Sequence, residues 1–211
     1  MSVLLEKIAD KIPSATFTDT ALCTAINGTA DSRYGLVKRA IRSGHVIHLR
    51  RGLYAFAKKY RPASLNLYEI AGKLYGPSYV SLEAALSYHG WIPEAVYTVT
   101  NVCAKRSKEF NTPLGMFSFA HIPCDRFFAG VKRVASPNGI FLMATPFRAL
   151  ADYVYVHHKR WRGLKPVIES LRVDESNFRH ADFRLLEEVR KASRNANVKK
   201  FIYSIQKELL R

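Results

Sequence analysis

The chain has 211 residues and carries 33 Lys+Arg against 17 Asp+Glu, a formal net charge of +16 with histidine neutral. Hydrophobic residues make up 48 % and aromatics 12 %, too many for a disordered tail and enough to close a core. No apolar run approaches the roughly 20 residues of a membrane span, charge enters at Glu6 and Lys7 too soon for a signal peptide, and Cys23, Cys103 and Cys124 form no disulfide framework or CxxC pair. These exclusions predict a cytoplasmic, strongly basic protein whose partner is a polyanion, nucleic acid before an acidic protein or a membrane surface.

In chain order, Val3, Leu4, Ile8 and Ile12 predict an amphipathic helix over residues 2–12, ended by Pro13. Thr18 or Asp19 can cap a second helix, Thr20 to Ile26, which stops at Asn27-Gly28. Asp31 or Ser32 can cap a third, running to Ser43 and closed by Gly44, with Val37, Ala40 and Ile41 inward. His45 to Leu49, the turn Arg50-Arg51-Gly52 and Leu53 to Phe56 then read as a hairpin. Three helices followed by a hairpin is the order of a winged helix-turn-helix, whose third helix enters a DNA major groove.

Arg61 to Ser64 resembles a linker. A short helix follows over Leu65–Leu74, ended near Gly76-Pro77, and Ser81 reads as the cap of another over Leu82–His89, with Gly90 and Pro93 beyond. Strands are predicted at Val96–Val102, Met116–Ile122, Val131–Ala135 and Ile140–Met143. Thr145-Pro146 starts a helix to about His158, and Gly163 to Pro166 is a break. The tail is helical, with Leu185, Leu186 and Val189 inward on one segment and Val198, Phe201, Ile202, Ile205 and Leu209 on the last. The expected fold class is α+β: a winged helix-turn-helix over residues 1–62, then a larger mixed domain over 63–211 with a helical C-terminal tail.

The charge is uneven. Residues 1–65 hold 11 basic and 4 acidic side chains, residues 66–150 hold 8 and 5, and residues 151–211 hold 14 and 8. Between Asp31 and Glu69 there is no acid, and nine Lys and Arg fall in that gap. Phosphate contacts dominate affinity for DNA, and base readout needs side chains that reach groove edges. Ser32, Arg33, Tyr34, Lys38 and Arg39 are therefore assigned to the groove and its flanking phosphates, and Arg42, Arg50 and Arg51 to phosphates. The tail mixes signs at helical spacing, the pattern of a solvated face.

Chemistry is not signalled. GxSxG, Walker, GxGxxG and HExxH motifs are absent, so an enzyme is not expected. The adjacent His157 and His158 point about 100° apart on a helix and have no ligand pair at metal spacing, so neither metal nor cofactor is expected. Ser81-Leu82-Glu83 reads as a helix start, and Asp152 as the acceptor of a structural hydrogen bond. Asp152 with Glu83 or Glu94 is the one paired-carboxylate candidate. Phe117, Phe119, Phe127 and Phe128 alternate as core residues do.

RRGLYAF at Arg50–Phe56, YVSLEAALSYHGWIPE at Tyr79–Glu94, GMFSFAHIP from Gly115, FFAGV from Phe127 and ATPFRALADYVY at Ala144–Tyr155 together resemble the AbiEi-type antitoxins, transcriptional regulators of type IV toxin–antitoxin (abortive infection, phage defence) systems. The stretches follow the family's order over about residues 15–160, although Phe147 and Arg148 stand where the family has Glu-Lys. The resemblance implies a winged helix that binds inverted repeats of double-stranded DNA in its own promoter and represses it. It also implies a C-terminal domain that counteracts a nucleotidyltransferase-like toxin without forming a stable complex, and a cytoplasmic protein that joins the nucleoid when bound to DNA. The alternative is an interaction protein that neutralises a toxin by direct binding, with DNA secondary.

Overall fold

The computed structural model describes residues 11–12, 14–61, 64–179 and 181–210. The helix expected over 2–12 lies outside these residues except for Lys11 and Ile12, as does Pro13. Among the described residues the protein is mixed α+β, with a three-stranded and a six-stranded sheet.

The first unit runs β1 (Thr16–Thr18), α1 (Asp19–Ala25), α2 (Ala30–Arg42), β2 (Val46–Arg50) and β3 (Leu53–Phe56), with sheet order β1-β3-β2. Thr18 caps α1 by accepting from Ala21 N. Helix α2 begins earlier than its sequence suggested. Thr29, not Asp31 or Ser32, supplies the cap by accepting from Ser32 N, which places Asp31 in the first turn, where the helix dipole favours it. Gly44 takes φ +71° just past Ser43, as a helix end requires. Val37 and Ala40 are buried, but Ile41 is exposed, because the step from Ala40 carries it off the apolar stripe; the partly buried Leu36 packs against the core instead.

Arg51 and Gly52 form the hairpin turn, with Arg50 opposite Leu53 and Gly52 at φ +74°. Strand β1, too short to read from sequence, pairs antiparallel with β3, Thr16 opposite Ala55. All four residues of β3 are buried. Tyr54 and Phe56 join Phe17, Leu22, Val37 and Val46 in the unit's own core. Leu53 and Ala55 point the other way and join Leu49 in a layer with Ile70, Leu74, Val99, Phe117 and Phe119. A strand covered on both faces explains why Leu53–Phe56 shows no polar alternation. The division expected at residues 62–63 falls outside the described residues; the parts on either side share this apolar layer.

The second unit contains α3 (Leu67–Leu74), β4 (Ser78–Val80), α4 (Leu82–Tyr88), β5 (Val99–Cys103), β6 (Lys108–Thr112), β7 (Gly115–His121), β8 (Val131–Ser136), β9 (Gly139–Ala144), α5 (Pro146–Val156), α6 (Lys165–Leu171), α7 (Phe183–Ala192) and α8 (Ala196–Leu209). The strand order is β6-β7-β5-β4-β9-β8. Strands β4–β9 and β5–β7 pair in parallel, the other neighbours antiparallel. Strands β4 and β6 were not legible: one has three residues, and the other, Lys108-Glu109-Phe110-Asn111-Thr112, is a polar edge.

Helix α3 packs on one face of the sheet. On the other, α4, α5, α7 and α8 close a core around Leu86, Leu150, Val154, Leu186, Phe201 and Ile202. The tail buries most of the residues expected of it, Leu186 and Val189 on α7 and Val198, Phe201, Ile202 and Ile205 on α8, whereas Leu185 and Leu209 are only half-buried. Among the described residues no helix is long and apolar enough to cross a membrane.

Candidate nucleic-acid interface

Helix α2 turns its charged side away from the core. Ser32, Tyr34, Lys38, Arg39 and Arg42 are exposed there, Tyr34 at 67 %. Arg39 lies along the helix over Gly35, where an added Cβ would stand 3.4 Å from its Nη1. Gly35 thus leaves the guanidinium room to lie flat on the helix surface.

Arg33 is half-buried, and its Nη1 donates to Gly28 O in the turn between α1 and α2. With Tyr34 and Arg51 it lines a cleft of about 340 Å³ whose wall also includes Asp19 and Tyr54. Asp19 holds the hairpin turn against α1: its N donates to Gly52 O at 3.4 Å, and a Cβ at Gly52 would meet its carboxylate at 3.1 Å. Burial, and then the Asp19 carboxylate, push the Tyr54 hydroxyl above its ordinary pKa. This Asp19–Gly52 junction spans more than thirty residues of chain and has no local signature.

Arg33, Tyr34 and Arg51 therefore meet at one cleft, and Lys38, Arg39 and Arg42 extend from it along α2. Arg50 does not join them. Its guanidinium donates to Arg51 O at 3.0 Å and to Lys73 O at 3.1 Å, in the last turn of α3. Carbonyls at a helix C-terminus attract cations, so Arg50 fastens the hairpin to the second unit. Lys73 adds to this joint, its Nζ donating to Thr16 Oγ1 at 2.8 Å.

The electrostatic contrast with the C-terminal half is direct. Among the described residues no carboxylate forms an ion pair with Arg33, Lys38, Arg39, Arg42 or Arg51. In the C-terminal half Arg172 pairs with Glu94, Arg190 and Lys191 with Glu187, Arg194 with Asp125 and Lys165 with Glu169, while Lys159, Arg160, Arg162, Arg179, Arg184, Lys199, Lys200 and Lys207 form no ion pair among the described residues. Cations without a local anion keep their charge available for phosphates.

A second polar cluster is sealed inside the larger unit. Asp152 on α5 accepts from Arg148 Nε at 2.9 Å, from Tyr79 Oη at 2.9 Å and from Ser81 Oγ at 2.7 Å. Arg148 Nη1 donates to Ala129 O at 2.8 Å, and Nη2 donates to Tyr79 Oη. Burial works against the Arg148 charge, but Asp152, Tyr79 and Cys124 together outweigh it and hold the guanidinium above its ordinary pKa. Burial pushes the Asp152 carboxyl upward, opposed first by Arg148 and then by the Ser81 and Tyr79 hydrogen bonds. Three donors on two oxygens are the environment of a carboxylate. Ser81 occupies the cap position of α4, but its hydroxyl goes to Asp152 and not to the helix, a correction of its expected capping role. Thr145 likewise precedes Pro146 while its Oγ1 donates to Gly130 O at 2.9 Å.

Arg148 and Asp152 are 2 % and 3 % exposed, so this cluster braces the fold and offers no surface for chemistry. The other carboxylates considered with it lie elsewhere: Glu83 Oε1 is 3.1 Å from His157 Nε2, and Glu94 binds Arg172. Among the described residues no three acids, histidines or cysteines gather as a metal site. Phe117 and Phe119 are core as expected, but Phe127 and Phe128 lie between β7 and β8 outside any strand, where Phe127 is half-buried and Phe128, 48 % exposed, is not core. The chain matches no protein-family model and no curated protein sequence.

Proposed function

We propose that the protein is a sequence-specific double-stranded DNA-binding antitoxin of the AbiEi type that represses its own toxin–antitoxin promoter. In this reading the first unit is a winged helix-turn-helix. Helix α2 enters the major groove with Ser32, Arg33, Tyr34, Lys38 and Arg39, while Arg42 and the Arg51 turn grip phosphates. The observation that carries it is the row of exposed cations on α2 and the hairpin turn, none in an ion pair among the described residues. A helix with side chains is about 10–12 Å across, the width of the major groove. The element order α1-α2-β2-β3 also supports it.

The second unit is the effector in this proposal, acting against a nucleotidyltransferase-like toxin. The family-like stretches Tyr79–Glu94 and Ala144–Tyr155 contribute β4, α4 and α5, the elements that meet at Asp152, so the resemblance covers the brace of that unit.

Binding to the DNA just upstream of its own gene, measured at several salt concentrations, tests the proposal. Affinity is expected to fall linearly in log–log form, with preference over random duplex. A flat salt response, or equal affinity for random duplex, contradicts it.

A further inference from the structure

Between α3 and the sheet lies a cavity of about 330 Å³ that the nucleic-acid surface does not use. Gly72 opens it: a Cβ there would meet nothing within 4 Å. Ser78 and Asn101 line it, 7 % and 1 % exposed. Asn101 Nδ2 gives its hydrogens to Val99 O at 2.7 Å and Ser118 O at 3.1 Å, which fixes the amide with its oxygen as an acceptor. That Oδ1 has no partner, and neither has Ser78 Oγ. Buried polar atoms are rarely left unmade because desolvation is then uncompensated. Here two such residues line one cavity.

The rest of the lining narrows what could satisfy them. Tyr68, Phe128 and Phe141 supply aromatic walls. The one cation there, Lys73, is neutralised by Glu69 at 2.8 Å, so the cavity has no spare charge for an anion. The volume lies in the ordinary range of small-molecule sites. An acceptor-only oxygen beside a hydroxyl that can donate or accept matches a ring edge with an N–H next to an acceptor. Aromatic walls match the ring's faces.

We propose that this cavity binds an uncharged nucleobase or nucleoside, its N–H groups donating to Asn101 Oδ1 and Ser78 Oγ and its ring set against Tyr68 and Phe141.

Equilibrium dialysis of the full chain against adenosine, guanosine, cytidine and uridine, and against their 5′-monophosphates, tests this. At least one nucleoside is expected to bind with Kd below ~1 mM, its monophosphate about tenfold or more weakly because the cavity has no free cation to offset desolvation of the phosphate. Gly72→Leu, which fills the cavity and replaces glycine with a better helix former, is expected to abolish binding while melting no lower than the parent. Ser78→Ala, which removes an unpartnered hydroxyl, is expected to weaken binding at least threefold with the fold intact. The proposal is overturned if no nucleoside binds at about 5 mM, if binding survives Gly72→Leu, if monophosphates bind as tightly, or if a high-resolution crystal soaked with the four nucleosides shows only ordered water at Ser78 and Asn101. None of these outcomes bears on DNA binding.

Discussion

Two regions of this molecule are rich in arginine and lysine, and they differ in how much of that charge is paired. On α2 and the hairpin turn Lys38, Arg39, Arg42 and Arg51 face solvent, and no ion pair engages them among the described residues. In the C-terminal half Arg172, Arg190, Lys191 and Arg194 each face a carboxylate, and Arg148 is buried on Asp152. The counts of basic residues, 11 in residues 1–65 and 14 in residues 151–211, would rank the tail first. The pairing reverses that order. What makes a basic segment a polyanion site is the absence of local counter-charge on a presented face, and not the number of lysines and arginines.

The largest expected effect lies at the most deeply paired cation. Asp152→Ala leaves the Arg148 guanidinium buried without its anion and should cost about 3–5 kcal/mol, read as a lower urea midpoint. The folded fraction should keep the parent's affinity for duplex DNA. Replacing both partners, Arg148→Met with Asp152→Leu, should recover part of that loss, because no orphan charge remains. A double variant no more stable than Asp152→Ala would show that the cluster is not acting as a charge pair.

Next come the unpaired cations. Arg39→Ala should lose about 1–3 kcal/mol of preference for the cognate sequence. Arg51→Ala should weaken all sequences alike and lower the salt slope by about 1. Neither should change stability by more than about 0.5 kcal/mol. Arg50→Ala sharpens the contrast from inside the hairpin: it should affect DNA binding less than Arg51→Ala, yet destabilise by about 1 kcal/mol through the lost contact to Lys73 O. Equal binding losses for Arg50 and Arg51 would contradict the division of roles between them.

The smallest effect is a pH dependence in the tail. The hydrogen bond from Arg190 holds the Glu187 carboxyl down to about 2 from its usual 4.5. A depressed acid stabilises the fold above its unfolded pKa, and that contribution is lost as pH falls from 4.5 toward 2. The pair is solvent-exposed, so the effect should be small and screened by salt. Urea midpoints of the parent and of Glu187→Gln should converge over that pH range; a constant gap would show that Glu187 matters for another reason.

Much of this architecture was legible, and the exceptions have physical causes. The stripes of α7 and α8 were readable because four-residue spacing over two long helices overdetermines the inward face. Strand β1 and strand β4 have three residues each, too few for a period to show. Local chemistry favours Ser81 as a cap, but tertiary contact with Asp152, 71 residues away, takes its hydroxyl. Arg148 and Asp152 stand four apart on a helix that is otherwise apolar, the local signal of a buried pair. Their partner Tyr79 could not be read from the sequence. At the candidate interface the sequence located the cations, but not that Arg50 turns to Lys73 while Arg51 turns to the α2 cleft. Adjacent residues entering a hairpin turn diverge, and sequence does not say which of them meets another unit.

The most direct test is a pair of salt titrations on one duplex. One variant replaces Lys38, Arg39 and Arg42 with alanine; the other replaces Arg190, Lys191 and Arg194. The first should lower the slope of log affinity against log salt by about 2 to 3, and the second should leave it unchanged. A tail variant that lowers the slope as much as the α2 variant would contradict the account.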